Sequence, residues 1–120
     1  MNNEDAMQAI EAELSHIWMV RAFLKHSEEA EEDEELCDAH RGLYDYMLAL
    51  GKSSNEANSV AFMKTAVKKF AKLRKSCQLF FEIQPEISSH TNFIMAAKSL
   101  NYSLTTLGTI IETYKAAGEK

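Results

Sequence analysis

Apolar residues return at three- and four-residue steps along almost the whole chain, and no stretch alternates with period two, so the pattern predicts helices and no sheet. The first run extends from about Asp5 to His26, with Met7, Ile10, Leu14, Ile17 and Leu24 on one stripe. A second runs from about Glu32 to Leu50 through Leu36, His40, Leu43 and Met47. Gly51 then stands where a helix end wants a left-handed residue, and Ser53-Ser54-Asn55-Glu56 spells a capping box that opens the third helix. That helix carries Val60, Met63, Val67, Phe70, Cys77 and Phe81 to about Ile83. Pro85, the only proline, disfavours helix at Gln84 and so divides it from the fourth, about Glu86 to Ala117. There Phe93, Ala97, Leu100, Leu104, Leu107, Ile111 and Tyr114 form the core stripe, and Gly118 marks the stop.

Helices of this length joined by short loops pack beside their antiparallel neighbours, which predicts an all-α, up-down-up-down four-helix bundle, one domain over residues 1–120. Turns centred near residues 28, 52–53 and 84–85 set residues of adjacent helices at common heights. Asp33 then falls level with Lys72, Leu36 with Lys69, His16 with His40, and, between helices one and four, Trp18 with Tyr102.

Composition narrows the class. With 120 residues, 46% of them hydrophobic, the chain can bury roughly two-thirds of its unfolded surface and needs neither metal nor disulfide to fold. Four Gly and one Pro exclude low-complexity classes, and the acidic start Met1-Asn2-Asn3-Glu4-Asp5 is unlike a secretory or transit signal, so a cytoplasmic location is expected.

Charge is clustered. Glu28 to Glu35 hold seven of the eighteen acids, and Lys64, Lys68, Lys69, Lys72, Arg74 and Lys75 hold six of the thirteen bases. On the expected heights the two clusters face one another and neutralise within the molecule, which argues against nucleic acid as a partner. Cys37 and Cys77 are expected to differ in height by roughly 13 Å, beyond the ~7 Å Cα limit of a bridge, and so to be free thiols.

No cofactor or metal is expected. Glu13-Leu14-Ser15-His16 reads E-x-x-H, but a di-iron site needs inward carboxylates from four helices, and helices three and four have acids only near their ends. His16 and His40 at one height are the remaining candidate pair for zinc or haem. For enzymatic hydrolysis there is neither Gly-x-Ser-x-Gly nor a phosphate-binding glycine loop, and the chain is read as a non-enzyme.

Ala39-His40 on the second helix of an acidic bundle resembles the histidine phosphotransfer domains, a resemblance of architecture and two residues. It implies His40 as an alternative phosphoacceptor in a degenerate signalling domain. That family places a Lys three residues on and then a small residue, where this chain has Leu43 and Tyr44. Arg21 to His26 is similar in its R-x4-H spacing to the small helical HEPN ribonucleases, in which Arg and His act on RNA phosphate. There the pattern lies toward the C-terminal half. Here it ends the first helix, where Arg21 can pair with Glu35 while Lys25 and His26 suit the helix C-terminus.

The pattern that remains is a surplus of apolar surface. Lys98 is the only fully charged side chain between Ile87 and Ile111, and Ile17-Trp18-Met19-Val20 is apolar over a whole turn. Lys98, Asn101 and many hydroxyls count against a membrane span. A helix apolar all round is buried on more than one side. The expectation is therefore a helical interaction protein, a homodimer or the partner of another helical protein, associating through helices one and four. Its expected interface is Trp18, Met19, Phe23, Met95, Ala96, Ser99, Tyr102 and Ser103, in which the small residues admit a neighbouring helix and the aromatics anchor it.

Overall fold

The computed structural model describes residues 1–118. Four helices, α1 (Asn3–Lys25), α2 (Glu34–Asn55), α3 (Ser59–Ile87) and α4 (Thr91–Ala116), form an all-α four-helix bundle of 44 × 24 × 19 Å, with a single 3-10 turn, Glu28–Glu31, between α1 and α2. Each helix packs on its two neighbours, α1 closes the ring on α4, and α2–α3 is the most extensive contact. Short polar side chains start the helices by accepting otherwise orphaned backbone N–H groups: Asn2 from Asp5, Asp33 from Leu36 and Asn58 from Ala61.

Two boundaries differ from the sequence expectation. α2 does not stop at Gly51 but continues to Asn55, and the residues expected as a capping box form its last turn. The left-handed residue is Ala57, at φ 53°. Around it Asn58 N donates to Ser53 O at 2.9 Å and Ala57 N to Ser54 O at 3.1 Å, the paired bonds of a Schellman ending. Gly inside a helix costs only ~1 kcal/mol, and burial of Leu50 with the Ser54 hydroxyl bond to Glu11 of α1 holds the extra turn in place. α3 likewise runs through Pro85 to Ile87. Proline removes one donor from the final turn, while buried Ile83 and Gln84 reward its continuation, and Gln84 Nε2 closes the end by donating to Ser88 O at 2.9 Å.

The expected stripes supply most of the core: Ile10, Ile17, Leu24, Leu36, Leu43, Leu50, Met63, Leu100 and Leu107 are fully buried, together with Phe62, Leu73 and Phe80. Val60 is the exception. It lies in the first turn of α3 and is 65% exposed. No helix among the described residues is long and apolar enough to cross a membrane.

Candidate functional site

Three surfaces concentrate the residues that sequence reasoning singled out. On the α1–α4 side, Met19, Val20 and Phe23 face Asn92, Met95 and Ser99 across a shallow groove of about 310 Å³ with His16 at its end. Phe23 packs edge-on against Phe93, ring centroids 5.0 Å apart, and ties the two helices together. Met19 is 66% and Met95 53% exposed, large apolar side chains left in water on a face with little charge. Tyr102, 73% exposed, continues the α4 stripe of Met95 and Ser99 by one turn.

The expected interface is brought together only in part. α1 and α4 meet about one turn out of the expected register: His16 lies near Ser99 and Phe23 against Phe93, where Trp18 level with Tyr102 would have put Arg21 beside Ser99. Trp18 turns to the α2 side, its ring 6.5 Å from that of Tyr44. Ala96 and Ser103 are buried within the single chain, so their small size serves its own packing.

The α1–α2 seam holds the candidate histidine. Arg21 stacks its guanidinium over Trp18 at 4.8 Å and over Tyr44 at 4.6 Å, an arrangement that fixes a long side chain flat between two rings. Its Nε is buried without a hydrogen-bond partner. His40 is half-buried. Burial first, then the charges of Arg21, Arg41 and Lys25, hold it below the ordinary histidine range. In place of the cation absent from position 43, the positive charge near His40 comes from Arg21 and Lys25 of α1 and from Arg41. Arg21 is not paired with Glu35: among the described residues the one ion pair is Arg41–Asp38, exposed and 4.0 Å long. His16 is exposed on the α1–α4 side and does not face His40, so the two make no common ligand site. No cluster of three or more His, Cys, Asp or Glu with metal-binding proximity occurs among the described residues.

The α2–α3 face was not legible in advance. Tyr46 Oη donates to Ala66 O at 2.9 Å, and Gly42 lies directly against Ser76 where the helices cross. A groove of about 500 Å³ opens there, with Asp45 and Leu48 on one wall and Lys69, Lys72 and Lys75 on the other. The lysines therefore stand level with residues 42–49 of α2, not with Asp33 and Leu36, which overturns the expected neutralisation of the clusters. The cause is the extra turn of α2, which moves the reversal to residues 56–58 and shifts every α2–α3 height. Gly42 on the partner-facing side of α2 was the available signal for a close crossing.

The same shift brings Cys37 and Cys77 nearer in height than the ~13 Å expected. Both are nevertheless free, because they face different surroundings. Cys37 Sγ donates to Ala30 O at 2.9 Å, whereas Cys77 is enclosed in the core, where burial pushes its thiol up to about 12. The chain matches no family model, no curated protein and no solved structure.

Proposed function

We propose that this protein is a non-enzymatic helical interaction module that forms a homodimer through the α1–α4 face. The observation that carries the reading is the pair Met19 and Met95, both more than half exposed on opposite rims of one apolar groove. A chain of net charge −5 repels its own copy over most of its surface, and this face, whose α4 wall carries Lys98 alone, is where two copies approach at least electrostatic cost. Sedimentation equilibrium at micromolar protein tests it. The intact chain should have a dimer's mass in high salt, and Met19→Asp and Tyr102→Glu should each lower it toward the monomer with helix content kept. A monomer at all concentrations in high salt refutes it.

One observation favours a second reading, a phosphoacceptor role for His40: Arg21 and Lys25 supply the neighbouring positive charge that a phosphoryl group requires. Acid-labile phosphate on His40 after exposure to a small phosphodonor would support it. An unmodified intact mass under the same conditions would remove it.

A further inference from the structure

We propose that the α2–α3 face is a separate self-association surface, on which two antiparallel copies of this chain lay the acidic half of one face against the lysine half of the other. On α2, Glu34, Asp38, Gly42 and Asp45 recur at three- and four-residue steps and so share one side of the helix, with Glu35 beside them and Arg41 paired to Asp38, so that acids outnumber bases there. Its upper part, at Gly42 and Asp45, forms a wall of the groove that Lys69, Lys72 and Lys75 border from α3. Glu35 precedes Asp45 by ten residues, roughly 15 Å along the axis at 1.5 Å per residue. That exceeds the ~8 Å Debye length at physiological salt, and among the described residues no acid of α2 forms an ion pair with a lysine of α3.

A two-fold axis set across the helices midway between the clusters brings acid onto lysine twice at once. The contact is therefore isologous and closed. It also covers Leu48, 63% exposed at the groove. Nucleic acid fits this face less well. The chain is acidic overall, Asp45 stands among the lysines, and Tyr46, the aromatic residue of the groove, is buried rather than offered for base stacking. The surface lies on the opposite side of the bundle from the α1–α4 face and does not depend on it.

Salt separates the two contacts. Sedimentation equilibrium is run at about 0.01 M and about 1 M salt, where the Debye length is ~30 and ~3 Å. The intact chain should have a larger weight-average mass at low salt, by up to twofold, and Met19→Asp should keep that increment whatever it does to the high-salt mass. Lys72→Glu/Lys75→Glu and Glu35→Lys/Asp38→Lys alter exposed side chains, so helix content should be unchanged by far-UV circular dichroism. Each pair alone should lose the increment, and an equimolar mixture of the two should regain it, because one face is then predominantly acidic and the other predominantly basic. The proposal is overturned by an intact chain whose mass ignores salt, by an increment that survives the lysine reversal, or by a mixture that stays dissociated. Salt-sensitive binding of a single-stranded oligonucleotide by the intact chain, lost in Lys72→Glu/Lys75→Glu, would assign the face to nucleic acid instead and overturn it equally.

Discussion

Gly42→Ala should destabilise the bundle, although alanine is the better helix former. A Cβ at residue 42 would lie 1.8 Å from Ser76 Oγ and 2.6 Å from Ser76 Cβ. Rotating the serine clears the hydroxyl but cannot move its Cβ, and carbon contacts are comfortable only from ~3.5 Å, so α2 and α3 must part by roughly 1 Å. Overpacking of this kind costs ~1–3 kcal/mol, against which alanine regains ~0.5–1 kcal/mol of helix propensity. The net loss is ~1–2 kcal/mol, a fall of roughly 0.5–1 M in the urea midpoint followed by far-UV circular dichroism. Adding Ser76→Gly should restore most of it, since the nearest atom left is the residue-76 Cα at 3.9 Å, whereas Ser76→Ala should not. Gly51→Ala is the internal contrast. It meets nothing within 4 Å and sits inside α2, so it should stabilise by ~0.5–1 kcal/mol. A Gly42→Ala chain as stable as the parent, or a rescue by Ser76→Ala equal to that by Ser76→Gly, would refute the crossing geometry.

Stability should decline at alkaline pH. Burial raises the Cys77 thiol to about 12 and raises Tyr46 as well, so the unfolded chain ionises first: their contribution is complete below the ordinary thiol pKa of ~8.5 and is lost as pH rises, at up to ~1.4 kcal/mol per unit for each group. Urea midpoints at about pH 8 and about pH 10.5 should show the drop, and Cys77→Ala should make it shallower; an equal drop in both proteins would contradict the assignment. Intact mass without reductant should show two free thiols, with half-buried Cys37 alkylated well before Cys77. A loss of about 2 Da would mean an intramolecular bridge and an incorrect placement of the cysteines.

The helices and their core stripes were legible because burial imposes the 3.6-residue period directly, as at Ile10, Ile17 and Leu24 or Leu36, Leu43 and Leu50. Helix ends were less so. Gly51 and Pro85 are strong local signals, yet each was outweighed by packing of the following turn, through Ser54 on Glu11 in one case and buried Gln84 in the other. Heights between helices inherit those ends, so one extra turn in α2 was enough to move the lysines from Asp33 to Asp45 and to dissolve the supposed neutralisation. Trp18 went astray differently: its apolar neighbours suggested α4, but the guanidinium of Arg21 and the ring of Tyr44 offer it a partner on α2. At the α1–α4 face, Met19 and Met95 were readable from the absence of charge around them.

The three-residue reversal between α2 and α3 also bears on the order of events in folding. Tyr46 and Ala66, joined by a hydrogen bond, are only 20 residues apart, so closing this helical hairpin carries little loop entropy, and its Gly42–Ser76 crossing can form while the rest of the chain is still open. α1 and α4 stand at the two ends of the chain, and their seam forms only after nearly every residue between them has been brought to its place. Substitutions in the α2–α3 hairpin should thus slow refolding, while those around Phe23 and Phe93 should chiefly hasten unfolding. The α1–α4 seam joins the helices most distant in sequence, so the groove beneath Met19 and Met95 should open at lower free energy than the α2–α3 hairpin, an order that native-state hydrogen exchange checks.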